Sequence, residues 1–426
     1  MAALMTKRRI VFLSLSMALL VLLLAGALFG QATQKSNLYR YLSIFSEVFD
    51  LVRSNYVDQV SSEQLLDGAF SGVTDAIDEF SYYVPPAQMP SYKNFSDVDD
   101  NGVGLVVTKR FGYAFVIAPI PGSPAAKAGI ERGDFIEKID GHPTVKLSVW
   151  QIRNLLRSNK QMKLQILRGG QTKRDEFTVQ SASFHPLAIT SDTIGGVAYV
   201  KVPYFEKDTA AQFHATLADA HKRGIRKMII DLRGNAAGSV DEAIQAADDL
   251  LTSGLITSIE GREVESKKWQ ADRDTAFDGE VEVLTDPSTA AGAEVFAAAI
   301  HGNNRGKLVG VTTYGKAIQQ RFIPLPSGGG VQMTVAHYTT PDLKPIKEQG
   351  IRPDVVVDLT SQAIADPKDT AAKKQKEDLI LNKALQLFGA APAEKKPALH
   401  CSPATLERAC KDGRTGRATH SDRSRF

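Results

Sequence analysis

The longest apolar stretch lies near the N-terminus. Residues 10–30 carry no charge, and only Ser14 and Ser16 break the run as polar side chains. About 20 such residues suffice to cross a bilayer as a helix. Lys7, Arg8 and Arg9 precede the run, which predicts a cytoplasmic N-terminus and export of the remainder. A cleaved signal peptide is the alternative, with Ala25-Gly26-Ala27 or Gly30-Gln31-Ala32 as its exit. The run is longer than a usual signal core, which favours an uncleaved anchor. From Ser36 to about Tyr83 apolar residues recur at helical spacing: Leu42, Phe45, Val48, Phe49 and Val52, then Leu65, Leu66, Phe70, Val73 and Ile77. Pro85-Pro86 ends that pattern.

Beyond residue 188 the pattern alternates between short apolar runs and helical periods. Val197 to Val202 reads as a strand, and Thr209 to about Lys222 as a helix. Met228-Ile229-Ile230-Asp231-Leu232 is nearly continuously apolar, as in a strand buried on both faces. A turn and a helix from Val240 to Leu251 follow it. Such repeats predict parallel pairing with right-handed crossovers. Residues 321–340 read as β-structure turning at Ser327-Gly328-Gly329-Gly330. After Ser361 the chain becomes polar, apart from a helix at about Asp378 to Phe388 that would dock through Leu379, Ile380, Leu381, Ala384, Leu385 and Leu387. Residues from Ala390 onward are too polar to bury and are expected to be disordered.

Composition narrows the function classes. A chain of 426 residues has room for two or three domains. Its net charge is only +3, and no basic stripe is interleaved with aromatics, which argues against nucleic acid as a partner. The two cysteines, Cys401 and Cys410, sit in the polar tail, where only a local loop disulfide is open to them. The chain has no His-Glu-X-X-His, no paired cysteine ligands and no Gly-Lys-Ser/Thr phosphate loop, so no metal, nucleotide or other cofactor is expected.

Two groups of motifs carry chemistry. The first comprises Gly102-Val103-Gly104-Leu105 leading into Val106-Val107, then Pro121 to Ile130, then Gly133 to Gly141 with a helix from Ser148 to Arg157. It resembles a PDZ domain. In that fold the glycine loop holds a terminal carboxylate and the adjacent strand edge pairs with the ligand. The second runs from Val281 to Gln320, a strand, a small-residue turn, a helix, a strand and a Tyr-Gly-Lys turn. It resembles the carboxyl-terminal processing, or tail-specific, serine peptidases. Asp231-Leu232-Arg233-Gly234-Asn235 and Gly350 to Asp354 carry the same resemblance. Together they imply a multi-domain α/β protein: an anchor or signal (1–35), a helical N-terminal region (36–97), a sandwich-like PDZ domain (98–183), a tail-specific protease-like core (184–360), a C-terminal helix (361–389) and a polar tail (390–426).

The resemblance assigns a role to each site position. The family places its nucleophilic Ser three residues before a Glu, here Glu294, and that position is Ala291. Its general-base Lys, 25 residues after the Ser, is Lys316, and its supporting Gln is Gln320. A methyl group cannot attack a carbonyl, so the peptidase is expected to be impaired. The family also carries paired glycines where this chain has Ala237-Gly238, so a strained or closed oxyanion loop is expected. The alternative is an active endopeptidase in which Ser288 or Thr289, in the same turn, attacks with Lys316 as base. The implied ligands are protein C-termini or extended segments at Gly102, Val103, Gly104 and Leu105. Further implied partners are the membrane, through the N-terminal helix, and a second copy or an active protease. The implied location is the periplasm or cell envelope, with residues 10–30 in the inner membrane.

Overall fold

The computed structural model describes the backbone of residues 2–93, 101–158, 160–168, 174–359, 378–392 and 400–401. The chain forms two compact units, residues 1–72 and 73–426. In the first, a 54-residue helix spans Ala2–Asn55 and a second helix begins at Ser62. Ser61 starts the second one by accepting the Gln64 N–H through its hydroxyl. The helical period at Leu42, Phe45 and Val48 is present, but those side chains face outward. Phe12, Leu13, Leu15, Leu19 and Leu22 are likewise exposed. Of the apolar run 10–30, the side chains of 10, 11, 23 and 25–30 lie outside the described residues. Among the described residues no helix is long and apolar enough to cross a membrane.

The helical reading fails after Asp75, where the second helix ends. Tyr82–Val84 is a strand, paired antiparallel with Gly330–Tyr338. Beyond that helix, Asp78 Oδ1 accepts the N–H groups of both Phe80 and Ser81 and shapes the turn that leads into the strand.

The PDZ domain is a six-stranded sheet in the order Leu105–Arg110, Tyr113–Pro119, Phe135–Ile139, Gln161–Leu167, Arg174–Gln180, with His142–Pro143 paired to the third. Val116, Ile136, Ile152, Leu164 and Ile166 form its core with the helix Val149–Leu156. Ser148 and Gln151 start that helix with a reciprocal capping box. Asn101–Gly102 pairs with Ala182–Ser183, closing the domain where the chain enters and leaves it.

The larger core is a seven-stranded sheet in the order Val355–Val356, Gly306–Gly310, Glu280–Thr285, Lys227–Asp231, Val197–Lys201, Thr190–Ile194, His400–Cys401. The first five run parallel. Helices Thr209–Lys222, Val240–Asp248 and Gly292–Gly302 cover one face through Phe213, Ile244 and Phe296. The helix Leu379–Leu387 covers the other through Ile380, Leu381, Ala384 and Leu385. Leu387, expected to dock, is 41% exposed because it lies off that buried stripe. A second sheet adds the hairpin Leu255–Gly261/Val264–Gln270, which the apolar pattern did not reveal. The strand His400–Cys401 falls within the tail expected to be disordered; Cys410 and the rest of that tail lie outside the described residues.

Candidate active site

Strand Glu280–Thr285 delivers the chain into the small-residue turn at 286–291. Asp286 organises it: Oδ1 accepts from Gly234 N–H (3.1 Å), Ser288 N–H (3.0 Å) and the Thr289 hydroxyl (3.2 Å). Ala290 is fully buried and donates its N–H to the Asn235 carbonyl. Ala291 then precedes the helix Gly292–Gly302 with φ 54° and ψ −121°, a conformation that L-residues other than Gly rarely adopt. The strained pose falls at the position where the family resemblance expects the nucleophile, and an alanine methyl group occupies it.

Glu294 ties this turn to the Tyr-Gly-Lys turn. Its carboxylate is fully buried and accepts four hydrogen bonds. Oε2 receives the N–H groups of Ala291 (3.1 Å) and Lys316 (2.7 Å). Oε1 receives the Thr313 hydroxyl and the Gly315 N–H, each at 2.6 Å. One oxygen therefore holds Ala291 and Lys316 by their backbones. Burial nevertheless pushes the Glu294 carboxyl up to about 7, against the pull of these donors. Sequence reading used Glu294 only to set the register; its clamp was missed because three of its four donors are backbone amides.

Lys316 is half-buried, with Nζ 5.4 Å from the Phe80 ring centroid. Gln320 donates through Nε2 to the Phe80 carbonyl at 2.9 Å. Glu79, next in sequence, accepts from the Tyr314 hydroxyl at 2.8 Å, and Arg110 of the PDZ domain donates to that same hydroxyl at 3.3 Å. Burial raises the Glu79 carboxyl, while Tyr314, Arg110 and Lys316 oppose the shift. Sequence reading did not find Glu79, Phe80, Tyr314 or Arg110 as site residues, because they converge only through folding.

The two substitute hydroxyls are committed elsewhere. Ser288 is 1% exposed and donates to the Ile117 carbonyl of the PDZ domain at 2.7 Å. The Thr289 hydroxyl donates to Leu232 O (3.2 Å) as well as Asp286, and accepts the Asp286 N–H.

The oxyanion loop corrects the expectation of strain at Ala237. Positive φ falls on Gly234 (77°) and Gly238 (118°), and Ala237 is not among the positive-φ residues. A Cβ at 238 would stand 2.3 Å from the Phe205 carbonyl oxygen, so the indispensable glycine is the one this chain keeps. Beneath the loop, Asp231 bonds Arg233, Lys201 and Tyr199. Burial disfavours the Asp231 charge, but Arg233 and Lys201 hold its carboxyl well below the usual range. Arg233 reaches on to Asp378 with two bonds (2.6 and 2.9 Å), fastening the loop to the C-terminal helix.

The PDZ domain packs over this turn. Phe80, Val106, Ile117 and Ala118 share one buried cluster with Ala236 and Ala290. In the carboxylate loop, Gly102 (φ 104°) and Gly104 (φ 72°) use their freedom, but Val103 donates its N–H to the Leu156 carbonyl at 3.0 Å instead of leaving it for a ligand. Leu105 is half-buried at the start of the edge strand, and Thr108 further along it donates to the Glu79 carbonyl at 2.6 Å. Residues of this chain thus occupy part of the glycine loop's hydrogen-bonding capacity and contact the 286–291 turn.

Residues 196–357 match peptidase family S41, and residues 115–168 match a PDZ domain. A carboxy-terminal-processing protease of Bartonella bacilliformis is 28% identical over 361 residues, 82% of this chain and 83% of that protein. The carboxy-terminal processing protease CtpA of Bacillus subtilis is 28% identical over 328 residues, 75% of this chain and 69% of that protein. Among solved structures, a photosystem II D1 C-terminal processing protease superposes with a TM-score of 0.63 at 24% identity, covering 74% of this chain and 92% of that one; it supports the fold.

Proposed function

This chain belongs to the carboxy-terminal-processing peptidases, with a PDZ domain and a family S41 core, and from that premise we propose that it is a catalytically impaired member that binds protein C-termini. The observation that carries the reading is Ala291: a methyl group in the strained turn, held on the same Glu294 oxygen as Lys316. Without an attacking atom, what remains is binding and oxyanion stabilisation, about a millionfold below a working enzyme by analogy with serine proteases. In this reading the PDZ groove at Gly102, Val103, Gly104 and Leu105 captures an apolar C-terminus by strand addition. Ligand entry competes with the contact of Thr108 to the Glu79 carbonyl. Tethering by residues 10–30 and placement in the periplasm or envelope belong to the same reading, supported by the basic flank and by the exposed apolar side chains of the long helix. As an adaptor it would present bound chains to an active relative or to a second copy.

The test incubates the full chain with unfolded substrates bearing apolar C-termini. Binding without cleavage is expected, and turnover of those substrates by the wild type would sink the reading. A second reading, an active endopeptidase, is favoured by the proteases among the relatives. It requires Ser288 or Thr289 to leave its present bond. Cleavage abolished by Ser288→Ala or Thr289→Ala would establish it.

A further inference from the structure

A polar cavity lies away from the 286–291 turn, at the opposite end of strand Glu280–Thr285. Its volume is about 490 Å³, and Glu282, Lys307, Asp354, His301, Leu387 and Phe388 are among its lining residues. Glu282 is the unusual member. It projects from the face of the sheet that the C-terminal helix covers and is 4% exposed, and its Oε2 is buried with no hydrogen-bond partner. A buried carboxylate oxygen without a donor is costly unless a cation or a donor joins it.

The protein's own cations give Oε2 no hydrogen bond. Lys307, its register partner on the neighbouring strand, is exposed and favours the Glu282 charge from a distance, but leaves Oε2 unbonded. The Arg305 guanidinium is spent on the Leu250 and Phe277 carbonyls at 2.7 and 2.6 Å. Lys227 donates to the Phe388 carbonyl at 2.9 Å. His301 is paired with Asp354 at 3.1 Å. Glu280 adds a further carboxylate at the wall. Phe388 and Leu387 add apolar surface to the lining. The lining thus combines an acceptor without a donor, further carboxylates and hydrocarbon.

We propose that this cavity binds a primary alkylammonium group, with Glu282 as its counter-ion and the end of the C-terminal helix packing against the methylene stem. The ammonium supplies the missing donor at Oε2 and adds a close positive charge that the exposed Lys307 does not bring to it. Its source is either a free aliphatic amine or the lysine side chain of a polypeptide.

The experiment is isothermal titration of the full chain in detergent at pH 8, with cadaverine in one arm and N-acetyl-lysine methylamide in the other. Saturable one-to-one binding is expected in at least one arm, and the stronger arm identifies the source. Thermal unfolding of the wild type should shift upward with that amine, a readout that needs no variant. Glu282→Gln should weaken binding at least about tenfold, as loss of a charge-assisted contact does. Glu282→Leu should abolish it while the melting temperature holds or rises, since an apolar group suits that site. Lys307→Ala should leave binding intact or strengthen it. Failure of both amines to bind the wild type overturns the proposal. So does undiminished binding in both Glu282 variants, or binding that appears only after Lys307→Ala, which would make Lys307 the natural occupant.

Discussion

At Ala291 the backbone still adopts a conformation that costs an L-residue about 1–3 kcal/mol. The surrounding bonds therefore dictate the pose whatever side chain stands there. Ala291→Ser should place a hydroxyl in a preformed turn and raise proteolysis of an unfolded substrate by about a thousandfold or more, read by release of new N-termini. Because Ala237 does not need positive φ, restoring Gly there should add little to that gain. Glu294 offers a sharper test. All four of its partners are donors, so the amide of Glu294→Gln sets its own N–H groups against two of them. The expected loss is about 1–3 kcal/mol in urea unfolding. In an Ala291→Ser background the same change should also lower kcat, because the base turn loses its tie to the nucleophile turn.

Among elements, the C-terminal helix and the PDZ domain each hold the catalytic loops through few contacts. Asp378 caps the helix by accepting the Leu381 N–H and also binds Arg233. Asp378→Ala should cost about 1–2 kcal/mol, the pair being discounted because Asp378 is partly exposed. Hydrogen exchange should then quicken in the helix and in the 233–238 loop together, because one side chain joins them. The strand at Tyr82–Val84 carries a related lesson. Its residues follow a helical apolar pattern, yet the local Asp78 turn and the edge of Gly330–Tyr338 override that period. The hairpin at 255–270 escaped notice because its second strand is largely exposed and so carries no clear apolar alternation.

For the whole molecule, buried carboxyls set the response to pH. Burial raises Glu282 from 4.5 to about 7, so its folded form binds a proton more readily than its unfolded form. Stability linked to it is complete below about pH 4.5 and is lost as pH rises toward 7, a fall of about 3 kcal/mol. Asp231 has the opposite sign: its lowered carboxyl contributes stability above its ordinary value of 3.8 that vanishes on further acidification. Glu294, like Glu282 pushed up to about 7, contributes with the same sign as Glu282, so urea midpoints should decline from pH 4.5 to 7, and Glu282→Leu should lessen that slope without abolishing it while leaving the acid limb in place. The sequence by itself determined the parallel α/β core, the PDZ strands, the 25-residue spacing of Ala291 and Lys316, and that an alanine stands where the family resemblance expects a serine, because apolar period and residue identity are local properties. Tertiary structure alone decided that Glu294 bonds both turns, that Ser288 and Thr289 are already engaged, that the PDZ domain covers the turn, and that Glu282 Oε2 lies buried without a hydrogen-bond donor. Each of these depends on which distant backbone groups meet a given side chain, and a linear pattern holds no record of that.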